Sequence, residues 1–395
     1  MKVNTAVGTK KLKAVELFVG AGGLALGIAR AGFSYVNVID SNQAACDTLS
    51  LNKRRGTAHV KEWPITQGDV ARAELAPYAG IDLLSGGPPC QPFSQAGKLN
   101  GRSDSRDMLP QFIRAVRETR PKSFIIENVK GLVSTTFAAY FNYVVHQLRF
   151  PMVIKRHGEK WKEHRARLEK LYTGGRYKGT QYKVIYQSLR ATDFGVPQRR
   201  ERVFIVGVRA DLKLEYSFPL PTHSREALLW DQWIERTYWA RHGKPRRRIP
   251  GSVERLLPRL ERSAPTTDAW LTVRDSICDL PKLGVGKSSK RALNHFFNPG
   301  ARVYDGHAGS LLDMPAKTIK AGYHGVPGGE NSVRLDDGRV RYFSVRECAR
   351  LQTFPDDWEF VGNWTGCMRQ IGNAVPVALA EAVAAPLAKS LRSLS

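Results

Sequence analysis

Apolar and polar positions alternate in short blocks over the first half of the chain. Ala14–Phe18 is an apolar run that predicts a strand, followed by Gly20-Ala-Gly-Gly23 and a helical spacing over Leu24–Ala31. Tyr35–Ile39 predicts the next strand, closed by Asp40, with a helix over Asn42–Asn52. Ile81–Ser85, Ser123–Ile126 and Val203–Val208 predict three further strands, two of them ending at polar residues. This rhythm implies an α/β fold: a parallel sheet covered by helices, with its ligand at the carboxyl ends of the strands. After Arg209 the rhythm breaks. Residues 211–340 are rich in Pro, Gly and Arg and hold four of the eight tryptophans (Trp230, Trp233, Trp239, Trp270), with no strand–helix repeat. Helical patterns return at Arg346–Leu351 and Pro376–Leu391. The expected organisation is a first domain over 1–209, a smaller irregular domain inserted over 210–342, and a C-terminal return over 343–395 that completes the first.

Composition narrows the class. With 42% hydrophobic residues in 395, the chain can build a large core, which excludes a disordered protein. Lys and Arg number 61 against 36 Asp and Glu, a net charge of +25 that predicts a polyanionic partner, nucleic acid first. The surplus is uneven: residues 149–209 hold 16 basic and 5 acidic groups, a net +11, and residues 211–341 hold 22 and 15, a net +7. Within the first stretch, Lys155–Lys170 also reads as a solvated helix face, because its glutamates interleave. No apolar run is expected to reach the length of a spanning helix, and Met1–Leu12 lacks the apolar core of a signal peptide. A soluble, cytoplasmic protein without membrane association is expected. The five cysteines form no CxxC pair, which argues against a disulfide framework and against zinc, so no metal is expected.

The glycine loop carries the first chemical signal. Gly20-Ala21-Gly22-Gly23-Leu24-Ala25 fits a nucleotide-binding fingerprint after a strand, and Asp40 stands about 20 residues on, where an acid can bond ribose hydroxyls. Gly68-Asp69-Val70 supplies another acid, suited to an adenine amino group or to a solvated turn. These spacings fit NAD and S-adenosyl-L-methionine alike. Gly86-Gly-Pro-Pro-Cys90 separates them. Two prolines stiffen the loop after a strand and place Cys90 beyond the sheet's carboxyl edge, the place for a nucleophile more than for a buried apolar thiol. A zinc deaminase would need a second cysteine where Phe93 stands. Enzymes that methylate exocyclic nitrogens carry Pro-Pro-Tyr or Pro-Pro-Trp there, so a cysteine implies attack on a ring carbon.

At these residues the chain resembles the C5-cytosine DNA methyltransferases, over nearly its whole length. Glu16-Leu-Phe-Val-Gly-Ala-Gly-Gly23 is similar to the family's first cofactor motif and Pro-Pro-Cys90 to its nucleophile motif. Glu127-Asn-Val129 is similar to its catalytic acid motif and Gln198-Arg-Arg-Glu-Arg202 to its paired-arginine motif. Arg346-Glu-Cys-Ala-Arg350 and Gly372-Asn-Ala-Val-Pro376 resemble the two closing motifs, in order. Two departures stand out: Asp40 replaces the commoner Glu, and the Lys155–Gly179 stretch looks longer than in compact members and is left unassigned.

The resemblance implies a Rossmann-like methyltransferase sheet that binds S-adenosyl-L-methionine, with residues 210–342 as a target-recognition domain. It implies Cys90 as the nucleophile adding to carbon 6 of cytosine, which makes carbon 5 able to take a methyl group. Glu127 would meet ring nitrogen 3 with a raised pKa. Arg202 would contact oxygen 2, with Arg200 supporting the acid or nucleophile; on an extended backbone the two point the same way, leaving Arg199 to face phosphate or solvent. Phe18, Gly20, Ala21, Gly22, Gly23, Leu24, Asp40, Asp69, Val70, Asn373 and Ala374 would line the cofactor. Carbon 6 is inaccessible inside a duplex, so the base must flip, and Ser94–Asp107 is the expected closing segment. Double-stranded DNA is the expected partner, bound by a monomer, in a restriction-modification setting. Methylation of tRNA on the same fold and a catalytically silent DNA-binding relative are the alternatives. Lys317–Glu330 is expected to influence target choice, although the target itself is unreadable.

Overall fold

A computed structural model of the chain describes residues 11–89, 107–175, 177–245, 247–283, 292–303, 308–321 and 331–394. Seven strands form the central sheet: β1 (Leu12–Leu17), β2 (Phe33–Asp40), β3 (Ile65–Gln67), β4 (Leu83–Gly86), β5 (Ser123–Val129), β6 (Tyr182–Arg190) and β7 (Glu201–Arg209), in the order β3-β2-β1-β4-β5-β7-β6. The first five in sequence run parallel. β7 runs antiparallel to both β5 and β6, so the expected parallel sheet is mixed at this side. The ten residues between β6 and β7 are too few for a helical crossover, and a short link returns an antiparallel neighbour. The strand order reverses between β1 and β4, the position where sheets of this kind open a crevice for ligands.

Helices cover both faces, which is why the central strands read as continuous apolar runs. α1 (Gly23–Arg30) and α2 (Gln43–Arg54) follow β1 and β2; α3 (Leu109–Thr119) and α4 (Ala138–Arg149) flank β5; α5 (Trp161–Gly174) follows α4. The C-terminal helices are α6 (Val345–Leu351), α7 (Trp364–Asn373) and α8 (Val377–Arg392). Phe112, Val116, Val144 and Leu148 from α3 and α4 pack against Leu84, Phe124 and Ile205. On the opposite face, Leu26 of α1 and Leu379 and Val383 of α8 join Leu83, Ile125 and Phe204. Gly27 makes this second layer possible: a Cβ there would stand 2.4 Å from the Val377 carbonyl oxygen and 2.5 Å from the Ala380 Cβ. Trp364–Arg392 is long and apolar enough to cross a membrane, contrary to expectation, yet 67% of its most apolar window is buried within the fold. Its alanines and leucines serve helix packing against α1.

Residues 210–342 contain short helices and strands of two or three residues around a third apolar cluster that includes Leu228, Trp233, Tyr238, Trp239 and Trp270. Arg274 ties the segment together, its guanidinium bonded to Asp313 at 2.6 Å and to Asp336 at 2.6 Å. The same segment also reaches the main core through Val273, Ala316, Ile319 and Val333.

Candidate active site

The turn after β1 is built from left-handed backbone. Phe18, Gly20 and Gly22 have φ of 59°, 54° and 87°, so the chain folds back on itself and Gly22 N donates to Val19 O at 3.0 Å. Asp40, at the end of β2, holds this turn: Oδ2 accepts from Gly20 N at 2.7 Å and Oδ1 from Asn42 N at 2.8 Å. Burial raises its carboxyl above the ordinary range, against the pull of these amides. A Cβ on Gly20 would meet nothing within 4 Å, so its backbone is open to a ligand, whereas Gly22 backs onto Leu49 and Trp358. Ala21 and Leu24 are buried and Phe18 is half-buried. Ala374 and Val375 come against this loop, since a Cβ on Gly23 would lie 2.3 Å from Val375 O and 3.3 Å from the Ala374 Cβ. Asn373, exposed, is the last residue of α7. Val70 is buried, and the exposed Asp69 caps a short turn by accepting from Ala71 N at 2.9 Å. An open glycine backbone, an acid bonded to it and a half-buried aromatic ring at one sheet edge fit an adenosine-type cofactor.

Beneath the loop lies a group to which sequence reading gave no role. Glu16, the penultimate residue of β1, is fully buried and accepts from Tyr35 Oη and Ser85 Oγ, each at 2.7 Å. Its Oε1 has no hydrogen-bond partner among the described residues. Burial outweighs the two hydroxyl bonds and pushes the carboxyl up to about 8. Burial therefore favours the protonated form of Glu16. An acid amid apolar neighbours was the available signal.

The second half of the site joins β5, β7 and the end of β4. Glu127, buried near the end of β5, receives the Arg202 guanidinium, with Nε 2.8 Å from Oε1. Register explains the meeting: Val129 pairs with Arg202 and Glu127 with Phe204 across the antiparallel strands. Burial raises the Glu127 carboxyl, while the charges of Arg202 and Arg200 oppose it; the direction remains upward. Gly87 permits the next strand's loop to come close, as its Cβ would sit 3.2 Å from Glu127 Oε2. That loop is anchored, with Asn128 Nδ2 donating to Pro88 O at 3.1 Å and Met108 N to Pro89 O at 3.2 Å. Gly87-Pro88-Pro89 thus leads from the carboxylate toward Cys90. Cys90 itself lies outside the described residues, as does the closing segment except Asp107.

Arg200 sits differently from its partner. It precedes β7, is fully buried, and donates to Gly372 O at 2.6 Å and Ile319 O at 3.2 Å. Its charge acts on Glu127, but its bonds are to backbone. The neighbouring residues complete the tie. Gln198 Oε1 accepts from Ile319 N at 2.9 Å, Arg199 N donates to Ala316 O at 2.8 Å, and Thr318 Oγ1 donates to Arg199 O. Residues 198–200 therefore hold 316–319 against Gly372. Gln198 stands in the paired-arginine motif and Thr318 and Ile319 in the Lys317–Glu330 stretch, but the tie between them was invisible in the sequence, because their bonds span more than a hundred positions. Arg199 itself is exposed. Of the Lys317–Glu330 stretch, only 317–321 belong to the described residues.

The closing motif at Arg346 is architectural. Its buried guanidinium donates to the carbonyls of Leu293 and Pro355 at 2.9 Å each, and to that of Trp358.

The chain is similar to known proteins along most of its length. The chain matches the family described as C-5 cytosine-specific DNA methylase over residues 12–150 and 160–389. Type II methyltransferase M.NgoMIV of Neisseria gonorrhoeae is 33% identical over 382 residues, covering 96% of this chain and 97% of that protein. Type II methyltransferase M.PspPI of Psychrobacter is 32% identical, covering 96% and 79%. Among solved structures, a prophage-encoded DNA modification methyltransferase of Escherichia coli superposes with a TM-score of 0.58 at 21% identity, covering 96% of this chain and 99% of its own. The Dnmt2 methyltransferase of S. pombe gives 0.55 at 19%, covering 97% and 99%. Both share the Rossmann-like sheet. Over nearly its entire length, the chain belongs to the C-5 cytosine-specific DNA methylase family.

Proposed function

We propose that this protein transfers a methyl group from S-adenosyl-L-methionine to carbon 5 of a flipped cytosine in a specific duplex site, through a Cys90–carbon 6 adduct. The observation that carries the reading is the buried Glu127–Arg202 pair, 2.8 Å apart, against the Gly87–Pro89 loop that leads to Cys90. Glu127, its proton affinity raised by burial, meets ring nitrogen 3 as negative charge develops there. Arg202 keeps that carboxyl oriented and offers its remaining N–H groups to oxygen 2. Arg200, bonded to Ile319 O and Gly372 O, ties the chain just before β7, the strand that carries Arg202, to those two segments.

The cofactor supplies an electrophilic methyl on a sulfonium. Phe18, Gly20, Ala21, Gly22, Gly23, Leu24, Asp40, Asp69, Val70, Asn373 and Ala374 would hold it, with Asp40 toward the ribose. Residues 1–209 and 343–395 form the catalytic part and 210–342 the target-recognition part of this proposal. The similarity to named Type II methyltransferases supports a restriction-modification enzyme acting on DNA in the cytoplasm, and action as a monomer on the duplex is part of this proposal.

Incubation with methyl-labelled S-adenosyl-L-methionine and, separately, bacterial duplex DNA and bulk tRNA tests it by nucleoside mass spectrometry. Labelled 5-methylcytosine in the duplex is expected, and bisulfite sequencing of the same DNA should place it at one recurring sequence. Label in tRNA alone, or at the exocyclic nitrogen, overturns the reading.

A further inference from the structure

Lys155–Gly179, the stretch that sequence reading left unassigned, and the four residues before it play no part in the site above. They include 151–159, the gap in the family match. The segment is firmly built into the fold. His164, buried in α5, bonds Tyr143 Oη through Nδ1 and Val153 O through Nε2, both at 2.8 Å. Arg167 clasps Glu159 at 2.9 and 2.8 Å and reaches Ile154 O at 2.8 Å. Tyr177 packs edge-on against Phe150.

Its position is far from the chemistry. Pro151 O accepts from Arg117 Nε at the end of α3, and Gln181 O accepts from Ala210 N just beyond β7. Both contacts lie at the edge where β5 begins, while Glu127 and Arg202 lie where it ends. Seven residues of strand separate these edges by about 20 Å.

The charge of this module is uncompensated, and the reason is visible. All three of its acids have internal partners: Glu159 with Arg167, Glu169 with Arg165 at 3.1 Å, and Glu163 with the Lys160 amide at 3.0 Å. Lys155, Arg156, Lys160, Lys162, Lys170 and Lys178 are exposed and have no ion-pair partner among the described residues. Five of these six are lysines. Lysine is depleted at protein–protein interfaces, which favour arginine and aromatic anchors, whereas it serves phosphate as a mobile point charge. The nearby exposed Met152 and Ile154 are single apolar side chains of the sort any surface carries.

We propose that this face is a second, sequence-indifferent seat for the phosphate backbone of duplex DNA, on the opposite sheet edge from the catalytic groups. It engages another DNA segment than the one being methylated and holds the enzyme on long DNA during its search. The inference rests on the proposed action on duplex DNA.

The test uses the full chain carrying Lys155→Glu, Lys162→Glu and Lys170→Glu together, with the three alanine substitutions as a milder set should the first unfold. Methylation of a cognate duplex too short to reach both edges should match wild type. On non-cognate duplex of several hundred base pairs, log affinity against log salt should become shallower by about 2 to 3, and affinity at about 50 mM salt should fall at least tenfold. An unchanged salt slope overturns the proposal, including the case where an acidic protein is lost instead. Equal loss on the short cognate duplex also overturns it, because the face would then belong to the catalytic footprint. Absence of methylation by the wild type would sink the proposed function alone, as the non-cognate binding measurement needs no turnover.

Discussion

Replacing Arg200 by lysine separates the architectural tie from the catalytic pair. The arginine fork reaches two carbonyls, Gly372 O and Ile319 O, which are 53 positions apart in the chain and meet at one buried guanidinium. A hydrogen bond from a charged donor contributes about 1.5–3 kcal/mol, and an orphaned buried acceptor costs about as much as the bond that satisfied it. Lysine has three N–H donors but all on one nitrogen, which does not reproduce the fork that places a separate nitrogen at each carbonyl, so one bond is weakened or lost at about 2–3 kcal/mol. Arg200→Met leaves both unmet, for about 3–5 kcal/mol. At about 2.1 cal/mol/K per residue, a chain of 395 residues unfolds with an entropy near 0.8 kcal/mol/K, so the lysine variant should melt about 3 °C lower. Calorimetry reads that shift. Steady-state kinetics should show KM rising for cofactor and DNA together, because Gly372 adjoins Asn373 and Ile319 belongs to the segment assigned to target recognition. Wild-type melting with both KM values unchanged, or a loss confined to the chemical step, would refute the reasoning.

Other outcomes follow from single contacts. Glu16 has a folded pKa of about 8 against an ordinary 4.5, so its proton-linked stability is fully present below the ordinary value and is lost as pH rises through about 8. Urea titrations from pH 5 to 8 should fall by up to about 1.4 kcal/mol per unit in wild type, and Glu16→Gln should lose that component; identical slopes would count against a protonated Glu16. Gly27→Ala should destabilise by about 1–3 kcal/mol despite alanine's higher helix propensity, because its methyl would press on Val377 O and Ala380; a higher Tm would contradict this. Asp40→Ala removes the acceptor for Gly20 N and Asn42 N and should weaken S-adenosyl-L-methionine binding about tenfold or more by calorimetric titration, with site choice unchanged.

What the sequence made legible was local. The strand–loop–helix rhythm located β1, β2, β4, β5 and β7 within a few residues, because central strands covered on both faces must be apolar throughout. The glycine loop and Asp40 carried their own spacing. β6 escaped: as an edge strand with Ile185, Tyr186 and Gln187 exposed, it lacks the apolar run that marked its neighbours. Its direction and that of β7 depend on connection length, not on composition. Motif resemblance brought Glu127 and Arg202 to one site but gave support of the acid to Arg200; that Arg202 is the residue bonded to Glu127 follows from cross-strand register over 75 positions, which the sequence does not display. The attachment of Arg200 to Ile319 and Gly372 was not legible at all. Backbone carbonyls carry no sequence signature, and nothing in a paired-arginine motif distinguishes the guanidinium that faces substrate from the one that faces the chain.

Covalent trapping at Cys90 tests the cytosine-5 chemistry most directly. After methyl transfer, release of the product requires loss of the hydrogen on carbon 5 and then expulsion of the thiolate from carbon 6. Fluorine at carbon 5 cannot leave as a cation, so the adduct should persist. Wild-type protein with S-adenosyl-L-methionine and a cognate duplex containing 5-fluorocytosine should give a denaturation-resistant conjugate, one chain per duplex, with peptide mapping to Cys90. Cys90→Ser should give none, an alcohol being far less ionised than a thiol near neutral pH. Attachment at Cys46, Cys278, Cys348 or Cys367, or efficient methylation by Cys90→Ser, would contradict the mechanism.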